Sequence, residues 1–296
     1  MPARAIAVLV VALLLPGSAS ASQLIDRDAK NVVLRVNSKG EALITYTAGG
    51  KLKHVLAWGA INAIPPTQSR PQVAFKLDYS GGYGKYKRDY WKTFQGSCGG
   101  YDGTGLGWLV KACKAPDGSY WALQSWQKQL PNYGVAPKGA MESAWFLDLS
   151  HWTQDVPVFD VRTDWAYRSF DHLYGKFTYD ASPVFGFKST PGGNPLDTYG
   201  RNVYLDTFNS VYGPGWKREN SFLTHKNTGV FCYGFFSHGP HPSGKGERYR
   251  ATIIGPGVTP DEFWQAEAPG PYDKALDQQA NDEQRSEFAD GACKAN

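Results

Sequence analysis

The chain has 296 residues, with 31 Lys and Arg against 27 Asp and Glu, a formal net charge of +4 and 42% hydrophobic residues. Such a dispersed, nearly balanced charge excludes the phosphate-tracking surface of a nucleic-acid binder, and the length is ample for a buried core. The densest basic cluster, Lys85, Lys87, Arg88 and Lys92, is interleaved with Tyr86, Tyr90 and Trp91 and reads as a solvated, tyrosine-rich loop.

Residues 1–21 read as an export signal. Arg4 supplies the positive start, Ala5 to Leu15 the apolar stretch, and Ala19, Ser20 and Ala21 a small-residue cleavage site. The mature chain is therefore expected to begin at Ser22 and to be secreted. The apolar run is about half the roughly 20 residues that a spanning helix needs, and nothing comparable follows, so no membrane span is expected.

Cys98, Cys113, Cys232 and Cys293 make an even number in an exported chain, which predicts two disulfides. Cys98 and Cys113 bracket a glycine-rich loop whose closure is worth about 3 kcal/mol. That leaves Cys232 for Cys293, a bridge tying the tail to the segment from Val230 to Phe236. With all four thiols spent in this way no cysteine nucleophile is expected, and no pair has the short spacing of a thiolate zinc site.

Taken in order, Asn31 to Trp58 alternates apolar and polar residues in three runs separated by Ser-Lys-Gly and Ala-Gly-Gly, the pattern of an antiparallel meander. His54, between apolar neighbours there, reads as a core or edge histidine. Ile64 to Pro71 carries three prolines and is a connector. Val73 to Tyr79 predicts a strand, Ser80 to Gly84 a turn, and the stretch on to Cys113 a long disulfide-closed loop. Ser119 to Gln129 predicts a strand ended by Pro131, and Pro131 to Lys138 marks a boundary between two β-rich halves, 22–138 and 139–266.

In the second half Ala144 to Trp152 and Val156 to Tyr167 alternate cleanly. Phe159, Val161, Thr163 and Trp165 take one face of the latter run, and Asp160, Arg162 and Asp164 the other. His172 to Tyr179 and Val184 to Phe187 continue in the same style. The glycine-punctuated stretch Tyr199 to Phe236 holds two or three more extended runs, and Arg248 to Ile254 a last strand. Only the end reads as helical: Thr259 to Ala266, with Pro260 at the first position and Asp261 and Glu262 behind it, and Tyr272 to Phe288 within a tail of residues 267–296. The fold class is thus all-β, mostly antiparallel, of β-sandwich or jelly-roll kind, as one large sandwich or two packed sheets.

Asp160 and Asp164 are candidate acid and base for a sugar ring, and Glu219 is a third lone acid on a strand. An Asp-Arg-Asp face also makes a surface charge ladder. His238 and His241 stand in a Gly-Pro loop with no further ligand at a recognised offset, so neither metal nor cofactor is expected. No serine nucleophile elbow, phosphate loop or calcium loop is present. Aromatic residues make up 14% of the chain. Those set among glycines in loops, Tyr86, Trp91, Tyr101, Trp108, Tyr212 and Trp216, offer flat faces for stacking on sugar rings. The expected function is a monomeric binder of extracellular or cell-envelope glycan. A glycoside hydrolase or polysaccharide lyase, and a structural or adhesive surface protein, are the alternatives.

Overall fold

The computed structural model describes residues 22–127, 143–154, 156–179, 181–184, 188–189, 195–220, 228–237, 240, 242–254 and 258–287. About 49% of the described residues are strand and 10% helix, so the all-β, antiparallel class is as the alternation predicts. No helix among the described residues is long and apolar enough to cross a membrane.

The first strands are β1 (Gln23–Arg27), β2 (Lys30–Val36), β3 (Glu41–Ala48), β4 (Lys51–Trp58) and β5 (Lys76–Asp78). Strands β2 to β5 form one sheet in sequence order. The β3–β4 hairpin is tight because Gly49 and Gly50 take φ of 57° and 72°, a region that costs a side-chain residue energy. Beyond β5 the chain does not stay a loop to Cys113, as the glycines suggest. Two short helices, α1 (Tyr83–Tyr86) and α2 (Tyr90–Thr93), fold against the sheet. The physical reason is apolar burial: Tyr90 and Phe94 cluster with Leu43 and Leu56, and Tyr86 packs beside them.

Next come β6 (Leu109–Lys114), β7 (Tyr120–Gln127) and β8 (Trp145–Trp152), which join β1 in the order β1-β8-β7-β6. Strands from both sides of residues 128–142, which contain the expected half-boundary and lie outside the described residues, thus share a sheet. Val36, Ile44 and Val55 from the first sheet meet Trp121, Leu123, Leu147 and Leu149 from the second in a continuous core, each large side chain worth about 1.5–3 kcal/mol on burial. The expected Cys98–Cys113 disulfide is formed.

The remaining strands are β9 (Val158–Ala166), β10 (Phe170–Tyr179), β11 (Ser182–Pro183), β12 (Lys188–Ser189), β13 (Pro195–Leu196), β14 (Asn202–Ser210), β15 (Gly213–Asn220), β16 (Val230–Gly234), β17 (Arg248–Ile254) and β18 (Glu262–Glu267). In a third sheet β10 pairs β9, β11 and β16; in a fourth β14 lies between β15 and β17, with β18 at an edge. Leu173, Phe177 and Phe231 of the third sheet pack on Val203, Leu205, Tyr249, Ala251 and Ile253 of the fourth.

The helix expected over Thr259 to Ala266 is instead β18, paired to β17 from Ile253–Glu262 to Arg248–Glu267. A single turn started by Pro260 does not outweigh six residues of ladder, since helix nucleation is unfavourable and Trp264 gains a place against the second core. The tail helix is present as α3 (Lys274–Glu287).

Candidate functional site

Strands β9, β10 and β16 bring a thiol, an imidazole and a carboxylate onto one sheet face. In the β9–β10 hairpin Asp164 lies opposite His172 and Arg162 opposite Tyr174; across β10 on the other side, Tyr174 lies opposite Cys232 and His172 opposite Gly234. Because side chains alternate along a strand, all of these project to the same face. The His172 Nδ1 and Asp164 Oδ1 atoms are 2.5 Å apart. The Cys232 thiol, opposite Tyr174 on the adjacent strand, adds to the upward pull that Asp164 exerts on the His172 imidazole.

Helix α3 covers this face. Gln284 donates from Nε2 to Asp164 Oδ2 at 2.9 Å, so both carboxylate oxygens are engaged. Glu283 accepts from Arg162 Nε at 2.9 Å and from the Tyr174 hydroxyl at 3.1 Å. Ala280 and Cys232 both pack against the buried pair Tyr174 and Val230. Beside them is a cavity of about 240 Å³ with Arg162, Trp165, Tyr174, Leu276, Ala280 and Glu283 in its wall. Tyr174 and Ala280 therefore belong both to the cavity wall and to the packing around the thiol.

The imidazole and carboxyl side chains are only 5% and 3% exposed, whereas Cys232 is half-buried. Burial by itself lowers the His172 pKa, but the bonds to Asp164 and then Cys232 outweigh it and carry the value up to about 9. Burial raises the Asp164 carboxyl, and the bond to His172 partly opposes that rise. At neutral pH the imidazolium is thus the favoured form, and an imidazolium against a thiol is the arrangement that makes a thiolate. A nucleophile, a base in contact with it and an acid that orients the base are the three parts of nucleophilic catalysis.

Of the predicted acids, Asp164 is in this site, and Asp160 forms an ion pair with Arg162 at its edge. The Asp160–Arg162 pair is the expected charge ladder, but Asp164 leaves it for His172. Glu219 is elsewhere, on β15, where the Tyr233 hydroxyl reaches its Oε1 at 3.4 Å. Cys293, His238 and His241 lie outside the described residues, so the expected Cys232–Cys293 bridge is not among the contacts described.

No family model, curated protein or solved structure matches the chain.

The six loop aromatics distribute over three sheets. Tyr86 donates its hydroxyl to Glu41, and Trp91 stacks on His54 with ring centroids 4.1 Å apart and planes 9° from parallel. Tyr101 packs edge-on against Trp152 and Tyr120, and Trp108 lies 4.9 Å from the Phe263 ring. Tyr212 donates to the Pro242 carbonyl at 2.8 Å. Trp216 lies under the Arg250 guanidinium, 4.3 Å from ring centroid to charge. Sequence reasoning did not single out His172, and it assigned Cys232 to a bridge with Cys293. The signal for the former was the hairpin: a turn at Tyr167 to Ser169 places residue 172 opposite residue 164.

Proposed function

We propose that the protein is an exported, thiol-dependent enzyme that transfers acyl groups through Cys232, acting on ester or amide linkages of extracellular or cell-envelope polymers. The observation that carries this reading is the contact chain from Cys232 to His172 to Asp164, next to a cavity. Export is supported by the apolar leader and by the disulfide at Cys98 and Cys113.

The chemistry balances without a cofactor. In the resting pair Cys232 has already given its proton to His172, whose Nδ1 is fixed by Asp164, and the thiolate sulfur of that ion pair attacks the carbonyl carbon. The carbon–oxygen or carbon–nitrogen bond breaks as His172 returns a proton to the departing alcohol or amine, leaving an acyl thioester on Cys232. Water, giving a proton to His172, then attacks the thioester and releases the acid and the thiol. Trp165 and Leu276 supply an apolar wall for the acyl side and Tyr174 a hydroxyl at its rim.

The test is a chromogenic ester, p-nitrophenyl acetate, followed for an initial burst, with mass spectrometry of the quenched enzyme. A burst with the acyl mass on Cys232, lost in Cys232→Ala and His172→Gln, is expected. Turnover that survives Cys232→Ala, or a Cys232 that takes up neither acyl group nor alkylating agent until reductant is added, refutes the reading.

Glycan binding is a second reading, favoured by the Trp91 indole, half-exposed and stacked on His54 beside Lys92. Retention on a polysaccharide that Trp91→Ala loses would support it, and retention unchanged by that substitution would count against this surface.

A further inference from the structure

One face of β7 and β8 holds a buried polar belt between two aromatic clusters. Trp126 and Phe146 stand at one end with Ile254, and Ala122 and Trp152 at the other with Val156. Between them, by strand alternation and the register Gln124–Asp148 and Ala122–Ser150, lie Gln124, Asp148 and Ser150, none with measurable exposure.

The segment Val258 to Asp261 crosses this belt. It is fixed at one end by the His151 amide, which donates to the Val258 carbonyl at 2.6 Å. At the other end the Asp261 amide donates to Gln124 Oε1 at 2.9 Å and Gln124 Nε2 donates to the Asp261 carbonyl at 3.0 Å. Thr259, fully buried, lies in the segment between these two anchor points.

The oxygens gathered there are not paired. Asp261 Oδ2 accepts from Trp126 Nε1 at 2.7 Å and from Ser22 Oγ at 3.0 Å, which turns Oδ1 the other way. That Oδ1, both oxygens of Asp148, Ser150 Oγ and Thr259 Oγ1 are all buried with no hydrogen-bond partner. Buried polar atoms are satisfied in the great majority of cases, so five orphaned oxygens from four side chains mark a missing occupant. Charge points the same way. The Asp261 charge pushes the Asp148 carboxyl up, and the Arg201 guanidinium that acts on Asp261 is matched in charge by Asp197, bonded to its Nε at 2.9 Å, with Nη1 and Nη2 left without a hydrogen-bond partner. Two buried carboxyl groups sharing one site do not both ionise without a counter-charge.

The donor set is oxygen only, which disfavours zinc and other soft metals. Among the described residues no three His, Cys, Asp or Glu converge on a point, so hydroxyls and water have to complete the shell. Calcium accepts six to eight oxygens in irregular geometry, including neutral ones, whereas magnesium demands an octahedron. We propose that Asp148, Ser150, Thr259 and Asp261 form a structural calcium site that fastens the 258–261 segment to β8.

The experiment uses the full chain after treatment with chelator, titrated with calcium chloride alone in calorimetry and in thermal unfolding, with magnesium chloride as the control. The expected result is a single saturating site for calcium and a rise in Tm that magnesium does not reproduce. Asp148→Asn and Thr259→Val should each weaken calcium binding at least tenfold. If Asp148→Asn does not fold, Thr259→Val, which keeps the shape and removes one oxygen, carries the test. No calcium response up to about 10 mM, above the range of the weakest calcium sites, overturns the proposal. So does an equal response to magnesium, or an Asp148→Asn chain more stable than the parent without metal, the mark of two carboxyls sharing a proton.

Discussion

Asp164→Asn removes the charge that holds His172 as an imidazolium while preserving the size of the side chain. The rise of His172 from 6.5 to about 9 corresponds to a preference for the imidazolium on the order of 3 kcal/mol, and Asp164 is the larger of its two bonded partners. Its loss should therefore remove roughly 2 kcal/mol, after which burial dominates and His172 becomes neutral at pH 7. The sign follows from linkage: a group whose folded pKa is raised stabilises fully below its unfolded value of 6.5, and the contribution is lost as pH rises through about 9. The parent should lose stability to urea between pH 6.5 and about pH 10, while the Asn variant should be weaker at the low end and flat across the range. Following the His172 ring protons by NMR over the same range gives the titration directly. Equal slopes in the two proteins, or a His172 that titrates near 6.5 in the parent, would refute the assignment of the shift to Asp164.

Three further outcomes follow from contacts described above. Arg201 and Asp197 form an ion pair with side chains 1% and 0% exposed, so Arg201→Met, which strands Asp197 among its neighbours, should cost about 3–5 kcal/mol in chemical denaturation. Glu283→Ala releases the two bonds that α3 makes to Arg162 and Tyr174; with about 1.5 kcal/mol lost from a charged pair, alkylation of Cys232 read at the peptide level should speed up roughly tenfold. Replacing Cys98 and Cys113 together with Ser reopens a loop with a sequence separation of 15 and should cost about 3 kcal/mol, seen as a lower urea midpoint.

The strands were legible because period-two alternation with glycine turns is a local signal. It places β2, β3, β4, β7, β8, β9, β10 and β17 within a few residues. The misread elements are those in which distant partners decide. The residues of β18 carry a helix start but add to the edge of β17, and α1 and α2 form because Leu43 and Leu56 offer a surface for Tyr90. The site was half legible. Asp164 stands out as an acid on a strand, and counting across the hairpin turn reaches His172. Cys232 lies in another segment, and cysteine parity in an exported chain argues for a bridge to Cys293, which lies outside the described residues. The aromatic residues were visible as a class, yet their neighbours, such as His54 under Trp91 and Arg250 over Trp216, come from distant positions.

The order of strands in the third sheet has a consequence for when reactivity arises. The β9–β10 hairpin closes locally, so His172 and Asp164 can meet early, at low entropic cost. Strand β16 reaches β10 only after the chain has travelled out through β12 to β15 in the fourth sheet and returned. On the proposed reading the sulfur joins its base only when β16 pairs with β10, a contact that needs the longer chain closure.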